Sequence, residues 1–425
     1  MSRLFKNATL FYQDKFVNTD FMIDDKGILV IADLIDIDDF DEVIDCSGVH
    51  VFPGFVDPHV HLRQPGFEYK ETIKTGTLAA AKGGYTTIFA MPNLKPACDS
   101  LEHLKMEMDI IDRDACINVY PICAITKGQT GKGELVDFDS LKDECFLYSD
   151  DGKGVQSEDN MRKAMQVVAK NNGVIIAHCE DENELCGGSL NKGKVSEKFN
   201  DPGINNASEY NEVIRDLRLA KETGCQFHIC HISCKESVDA LRKAKESNPN
   251  VSGEVTVHHL LLNEEDIDCD NGKWKMNPPL RSKEDQKALI EAIQDKTIEV
   301  ICTDNAPHSE QEKNCPIAKA SFGIVENEIA FSLIYTKLVK NKIISLEDAI
   351  KLMSTNACDI FGIDGGRIEN LEVANLCFYD LNANQRVDAN KFISMGKSCP
   401  FDKMILNSKC VMTICNGDIV YREGI

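Results

Sequence analysis

The chain has 425 residues, 43% of them apolar and 27% charged, the profile of a folded protein with a sizeable core rather than a disordered one. Its 47 Lys and Arg against 69 Asp and Glu leave a net charge of −22, and no basic patch breaks the acidic background. Phosphate backbones and anionic lipid surfaces are poor partners for such a chain, so no nucleic acid and no membrane is expected to bind it.

In chain order, residues 4–12, 16–23 and 27–31 read as short alternating strands, and residues 374–379, 409–415 and 418–421 repeat that pattern at the other end. Neither set is enough for a stable β layer. Together they predict one small β domain in which the two chain ends meet. Between them, strand and helix alternate. Strands are expected at 54–57, 85–91, 117–125, 145–149, 174–177, 226–230, 251–257 and 298–302. Helices are expected at 68–82, 100–112, 158–170, 207–222, 235–247 and 283–294. Eight strands in this rhythm predict an α/β fold, a (β/α)8 barrel over 53–365, with 1–52 and 366–425 forming the β domain. A doubly wound open sheet is the alternative, but no GxGxxG turn supports it.

In such a barrel the active site lies at the C-terminal ends of the strands, and there the polar residues collect. The first strand runs into Asp57-Pro58-His59-Val60-His61-Leu62-Arg63. Residues two apart on an extended chain share a face, so His59 and His61 can grip one metal ion. The fourth strand ends in Ser149-Asp150-Asp151-Gly152, the fifth in His178, the sixth in His231 and the eighth in Thr303-Asp304. Four imidazoles and two carboxylates around one opening suffice for one or two Zn2+ ions with positions left open for water. Of the other histidines, His50, His103 and His228 read as structural, His258 and His259 as supporting, and His308 as substrate-facing.

Eighteen cysteines are scattered along the chain without a CxxC pair. The N-terminus opens no signal-like apolar segment, and no apolar run is long enough to span a bilayer. Cys123, Cys145, Cys230 and Cys302 lie inside apolar strands, where a free thiol packs as a small hydrophobe. A reduced, cytoplasmic protein without a disulfide framework is expected.

Longer motifs carry a resemblance. Asp57 to Gly66 (DPHVHLRQPG), Tyr69-Lys70-Glu71-Thr72, Met91-Pro92-Asn93, Ser149 to Gln156, Ala177-His178-Cys179-Glu180, Cys230-His231-Ile232-Ser233, Met276 to Arg281 (MNPPLR) and Thr303 to His308 (TDNAPH) stand in order over nearly the whole chain. In them the chain resembles the class I (bacterial-type) dihydroorotases of the amidohydrolase superfamily. The resemblance implies zinc-dependent, reversible hydrolysis of L-dihydroorotate to N-carbamoyl-L-aspartate in pyrimidine biosynthesis. It implies that His59, His61 and Asp304 hold one zinc and that His178 and His231 hold a second. Asp151 would bridge the two, where hydantoinases, allantoinases and other dihydroorotases carry a carboxylated lysine. Arg63, Asn93 and His308 would hold the substrate carboxylate, Asn277 and the Phe322-Gly323 backbone would meet the ring, and Asp304 would move the proton.

Gln64, Asn305 and Val257 depart from the family's usual Glu, His and Pro. Lys153, two residues past Asp151, is a decoy for the bridge. Residues 309–316 read equally as a mobile lid or as a static solvated loop. Two other functions stay open: a hydantoinase- or allantoinase-like cyclic amidohydrolase, and an inactive homologue that scaffolds aspartate transcarbamoylase. The resemblance also implies a homodimer.

Overall fold

Two residues with positive φ, Gln13 (51°) and Asp14 (60°), turn β1 (Arg3–Tyr12) back into β2 (Lys15–Ile23) as a tight hairpin. In the computed structural model, which describes residues 1–31 and 40–425, β3 (Leu29–Ile31), β4 (Glu42–Asp45) and β5 (Val49–Pro53) complete the N-terminal strands.

Eight strands follow: β6 (Phe55–Val60), β7 (Tyr85–Ala90), β8 (Asn118–Pro121), β9 (Leu147–Tyr148), β10 (Val174–Ala177), β11 (Gln226–Ile229), β12 (Val251–Thr256) and β13 (Val300–Cys302). Within β6–β8 and within β9–β13 every pairing is parallel. Two seams join these sheets into a closed barrel. At one, Cys123 bridges Tyr148, with Cys123 N–H donating to Leu147 O (3.0 Å) and Ser149 N–H to Cys123 O (2.8 Å). At the other, Val60 bridges Asn305, His61 N–H donates to Asn305 O (3.0 Å), and buried Asp57 accepts from Thr303 N–H (3.1 Å) and its hydroxyl (2.5 Å). Closure leaves the barrel no free sheet edge.

Helices Ile73–Lys82, Leu101–Asp114, Glu158–Lys170, Ala207–Thr223, Lys235–Lys245 and Lys283–Gln294 connect the strands. The first is shorter than the expected 68–82. Thr72 caps it by accepting from Thr75 N–H, and Glu71 turns inward to accept from Ser394 Oγ (2.6 Å) and Met395 N (3.1 Å). No helix among the described residues is long and apolar enough to cross a membrane.

β14 (Leu376–Arg386), β15 (Ile405–Cys415) and β16 (Asp418–Arg422) return to the N-terminal strands, β14 pairing antiparallel with β5 in the order β16-β15-β14-β5-β1-β2-β3. Phe5 and Phe21 stack on one face of this sheet, with Phe378 tilted against them. On the other, Phe52 and Tyr379 pack against Phe55 and Phe331, tying the sheet to the barrel.

Candidate active site

β6 delivers His59 and His61 to the C-terminal rim of the barrel. His59 Nε2 lies 3.3 Å from Asp151 Oδ1 and 3.5 Å from Asp304 Oδ1. His61 Nε2 lies 3.0 Å from Asp304 Oδ1 and 3.5 Å from Asp151 Oδ2. Beyond β10 and β11, His178 Nδ1 and His231 Nε2 meet at 2.8 Å, and they stand 3.6 and 3.7 Å from Asp151 Oδ1. All six residues singled out in the sequence therefore come together. They include two triads, His59–His61–Asp151 and Asp151–His178–His231, each with ligand atoms within 4.8 Å of one another and able to hold a metal ion. Asp151 belongs to both. Lys153 is exposed.

The electrostatics of the cluster call for a cation. His59 Nε2 and Asp151 Oδ1 are buried, face each other and have no hydrogen-bond partner among the described residues, a costly state for polar atoms without a ligand between them. Burial works against a charged His178, yet hydrogen bonding to Asp151 and Glu180 lifts its pKa to about 10. Burial likewise opposes ionisation of Asp151, but His59, His178 and His231 hold it well below the usual carboxylate range. Positive charge is thus drawn to the centre, and a divalent ion meets that demand with the same donors. The backbone is strained at the same place: Arg63 (φ 61°), His231 (31°) and Asp304 (48°) are left-handed without being glycine.

A cavity of about 170 Å³ opens above the cluster, with His61, Asp151, His178 and Asp304 on its floor. Arg63, Asn93, Asn277, His308, Phe322 and Gly323 complete the lining, so every substrate-facing residue expected from the sequence borders it. Arg63 Nε donates to Pro307 O (3.2 Å), and its Nη2 lies 3.3 Å from His308 Nε2. Asn93 Nδ2 donates to Asp151 O (2.9 Å). Asn277 Nδ2 donates to Glu180 Oε2 (2.6 Å), whose carboxylate also stands 3.4 Å from His178 Nε2. A larger cavity of about 1010 Å³, around Ile298 and Ile343, lies at the opposite, N-terminal end of the strands and holds no such cluster among the described residues.

The chain is 46% identical over 418 residues to a dihydroorotase of Fusobacterium nucleatum subsp. nucleatum, covering 98% of each chain. The chain belongs to the dihydroorotase family. It is 43% identical over 423 residues to a dihydroorotase of Staphylococcus aureus strain Mu50, covering 99% of each, and a family model described as dihydro-orotase-like matches residues 48–237. Among solved structures, an L-hydantoinase (dihydropyrimidinase) from Arthrobacter aurescens superposes with a TM-score of 0.88 at 22% identity, over 100% of this chain and 96% of that one. This likeness shows the fold, an α/β barrel with an attached β domain.

Behind the dihydroorotase-family motifs lies a residue that the sequence reading missed. Glu254 on β12 is fully buried; its Oε1 accepts from His59 Nδ1 (2.8 Å) and from His231 N–H (3.3 Å). Its Oε2 lies 3.3 Å from His228 Nε2, whose Nδ1 meets Ser252 Oγ at 2.7 Å. With Nδ1 engaged, His59 turns Nε2 toward the cluster. The signal was a lone carboxylate inside the buried strand VSGEVT. His258 and His259 are buried, with His258 Nδ1 2.9 Å from Glu326 Oε1 and His259 Nε2 3.0 Å from Pro278 O.

The departures from the family pattern also have structural roles. Gln64 Oε1 accepts from Ile73 N–H at the start of a helix (3.0 Å), and Asn305 Oδ1 accepts from Glu326 and Asn327 N–H (2.9 and 3.3 Å). Val257 is core. The 309–316 segment contains the short helix Glu310–Lys313, and Lys313 Nζ donates to Lys275 O (3.0 Å) and Ser321 O (2.7 Å).

Proposed function

We propose that this chain is a dihydroorotase that opens the cyclic amide of L-dihydroorotate to N-carbamoyl-L-aspartate, reversibly, using two zinc ions. The observation that carries the reading is the meeting, in one small cavity, of the imidazole–carboxylate cluster with Arg63, Asn93 and His308. His59, His61 and Asp304 would hold one ion and His178 and His231 the other, with Asp151 shared between them. Zinc bound there supplies an acidified water as nucleophile and a Lewis acid for the amide carbonyl.

The chain's own residues do the rest. Asp304, whose Oδ1 sits at the edge of the cluster, accepts a proton from the attacking water and returns it to the leaving nitrogen. The planar Arg63 guanidinium, joined by Asn93 and His308, holds the substrate carboxylate. Asn277 and the Phe322-Gly323 backbone orient the ring. Local cations offset the −22 of the whole chain: Arg63 lines the cavity, with Lys70 behind it. Asp151 in place of a lysine and the carboxylate-binding set favour dihydroorotate over hydantoin or allantoin. The presence of all six candidate ligands argues against an inactive scaffold.

We assign residues 1–52 and 366–425 to the β domain and 53–365 to the barrel, a division supported by the pairing of β5 with β14. Eighteen cysteines, all free, support a reducing, cytoplasmic setting. A homodimer, and association with aspartate transcarbamoylase, rest on family analogy. Ring opening assayed side by side on dihydroorotate, hydantoin and allantoin tests the reading. Turnover confined to dihydroorotate, lost with a chelator and restored by zinc, is expected; a preference for hydantoin or allantoin overturns it.

A further inference from the structure

The Tyr69-Lys70-Glu71-Thr72 motif supplies no metal ligand and no proton carrier above, yet Lys70 reaches the substrate-facing wall. Its Nζ lies 3.2 Å from His308 Nδ1 and 2.9 Å from Glu312 Oε1, with only 13% of the side chain exposed. An ammonium only donates, so His308 Nδ1 must accept, and the ring proton must sit on Nε2. Nε2 has two neighbours, the acceptor Phe322 O at 2.8 Å and the donor Arg63 Nη2 at 3.3 Å, and the much shorter contact to the acceptor agrees with a proton on Nε2. Burial, together with Arg63, Lys70 and Lys313, holds the His308 pKa down at about 2, so the ring is neutral.

The nearest alternative partner for Nδ1 is Glu312 Oε2, at 3.6 Å. A carboxylate accepts. Were Lys70 absent, Glu312 would draw the proton to Nδ1 and leave a lone pair on Nε2, beside Arg63, where the substrate carboxylate is to be held. Glu312 is itself fixed by Lys70, by Tyr69 OH (3.3 Å) and by Ser309 Oγ (2.8 Å), so the same lysine also anchors the helix Glu310–Lys313 to the loop after β6.

We propose that Lys70 is a positioning residue for substrate selectivity: it fixes His308 as the neutral Nε2–H tautomer, whose proton is held by Phe322 O in the substrate-free protein and is redirected to the substrate carboxylate when substrate binds. The inference rests on the dihydroorotase reading for its substrate, but the tautomer itself belongs to the substrate-free protein.

The test compares wild type, Lys70→Met and Lys70→Arg as full-length, zinc-loaded proteins. Kinetics are measured on L-dihydroorotate, and 5,6-dihydrouracil, the same ring without the carboxylate, is followed by turnover or as a competitive inhibitor. Nitrogen-15 NMR of labelled histidine rings in the substrate-free proteins reads the tautomer. Lys70→Met is expected to raise KM for dihydroorotate about tenfold, the size of one lost charge-assisted hydrogen bond, with kcat nearly unchanged. Dihydrouracil binding should hold, the His308 signal should move from Nε2–H toward Nδ1–H, and Lys70→Arg should restore most of both. Parallel losses on the two rings, or an Nε2–H tautomer that persists in Lys70→Met, would overturn the proposal. If wild type acts on neither ring, the dihydroorotase reading fails, and the NMR comparison still decides the role of Lys70.

Discussion

Glu254→Gln probes the metal centre without replacing a proposed ligand. The wild-type carboxylate accepts from the His59 ring at 2.8 Å and from His231 N–H at 3.3 Å, and it faces the His228 ring at 3.3 Å, all out of solvent. The amide keeps the volume but loses the charge. Its NH2 must point at either His59 or His228, so a donor faces a donor unless a ring changes tautomer. Replacing a charged, buried acceptor of this kind typically costs about 10- to 100-fold in metal affinity, or about 1.4–2.8 kcal/mol. The assay is zinc titration against a competing chelator, with metal content measured after dialysis and thermal melting of the metal-free protein as a control on folding. Zinc affinity at the His59 side should fall by that factor while the metal-free melting temperature shifts little. An affinity within twofold of wild type would refute the claim that Glu254 orients His59.

Asp304→Asn should lower kcat by about 10²- to 10⁴-fold, as expected for loss of a proton carrier, while substrate binding measured by competition changes far less; a kcat near wild type would remove Asp304 from proton transfer. Glu107, buried on the helix Leu101–Asp114, has two carboxylate oxygens without a hydrogen-bond partner among the described residues, and burial raises its pKa well above the usual value. Below its unfolded pKa of about 4.3 both states are protonated. As pH rises above that, only the unfolded chain ionises, and stability falls by roughly 1.4 kcal/mol per pH unit until the native carboxyl also ionises. Glu107→Met should therefore raise the melting temperature more at pH 8 than at pH 5; an equal gain at both would contradict this.

The barrel was legible because its signals are local. Buried strands ending in His59, His178, His231 and Asp304 alternate with amphipathic helices, and Glu158–Lys170 and Lys283–Gln294 coincide with their expected limits. What was misread depends on distant partners. Residues 68–72 have helix-compatible composition, but Glu71 is held by Ser394, 323 residues away, and Thr72 takes the capping role. Glu254 lies 195 residues from the His59 ring it orients, and Lys70 lies 238 from His308. Pairings at such separations leave no periodic trace. The β4 and β5 strands were blurred by their polar flanks, Asp45 to Gly48, and are defined by pairing with β1 and, for β5, with β14.

The most direct measurement is anomalous diffraction at the zinc edge from crystals of the zinc-loaded protein. Two peaks are predicted, one among His59, His61 and Asp304 and one between His178 and His231, both in contact with Asp151. Zinc found elsewhere, or a cluster that remains empty in protein active on dihydroorotate, would contradict the account.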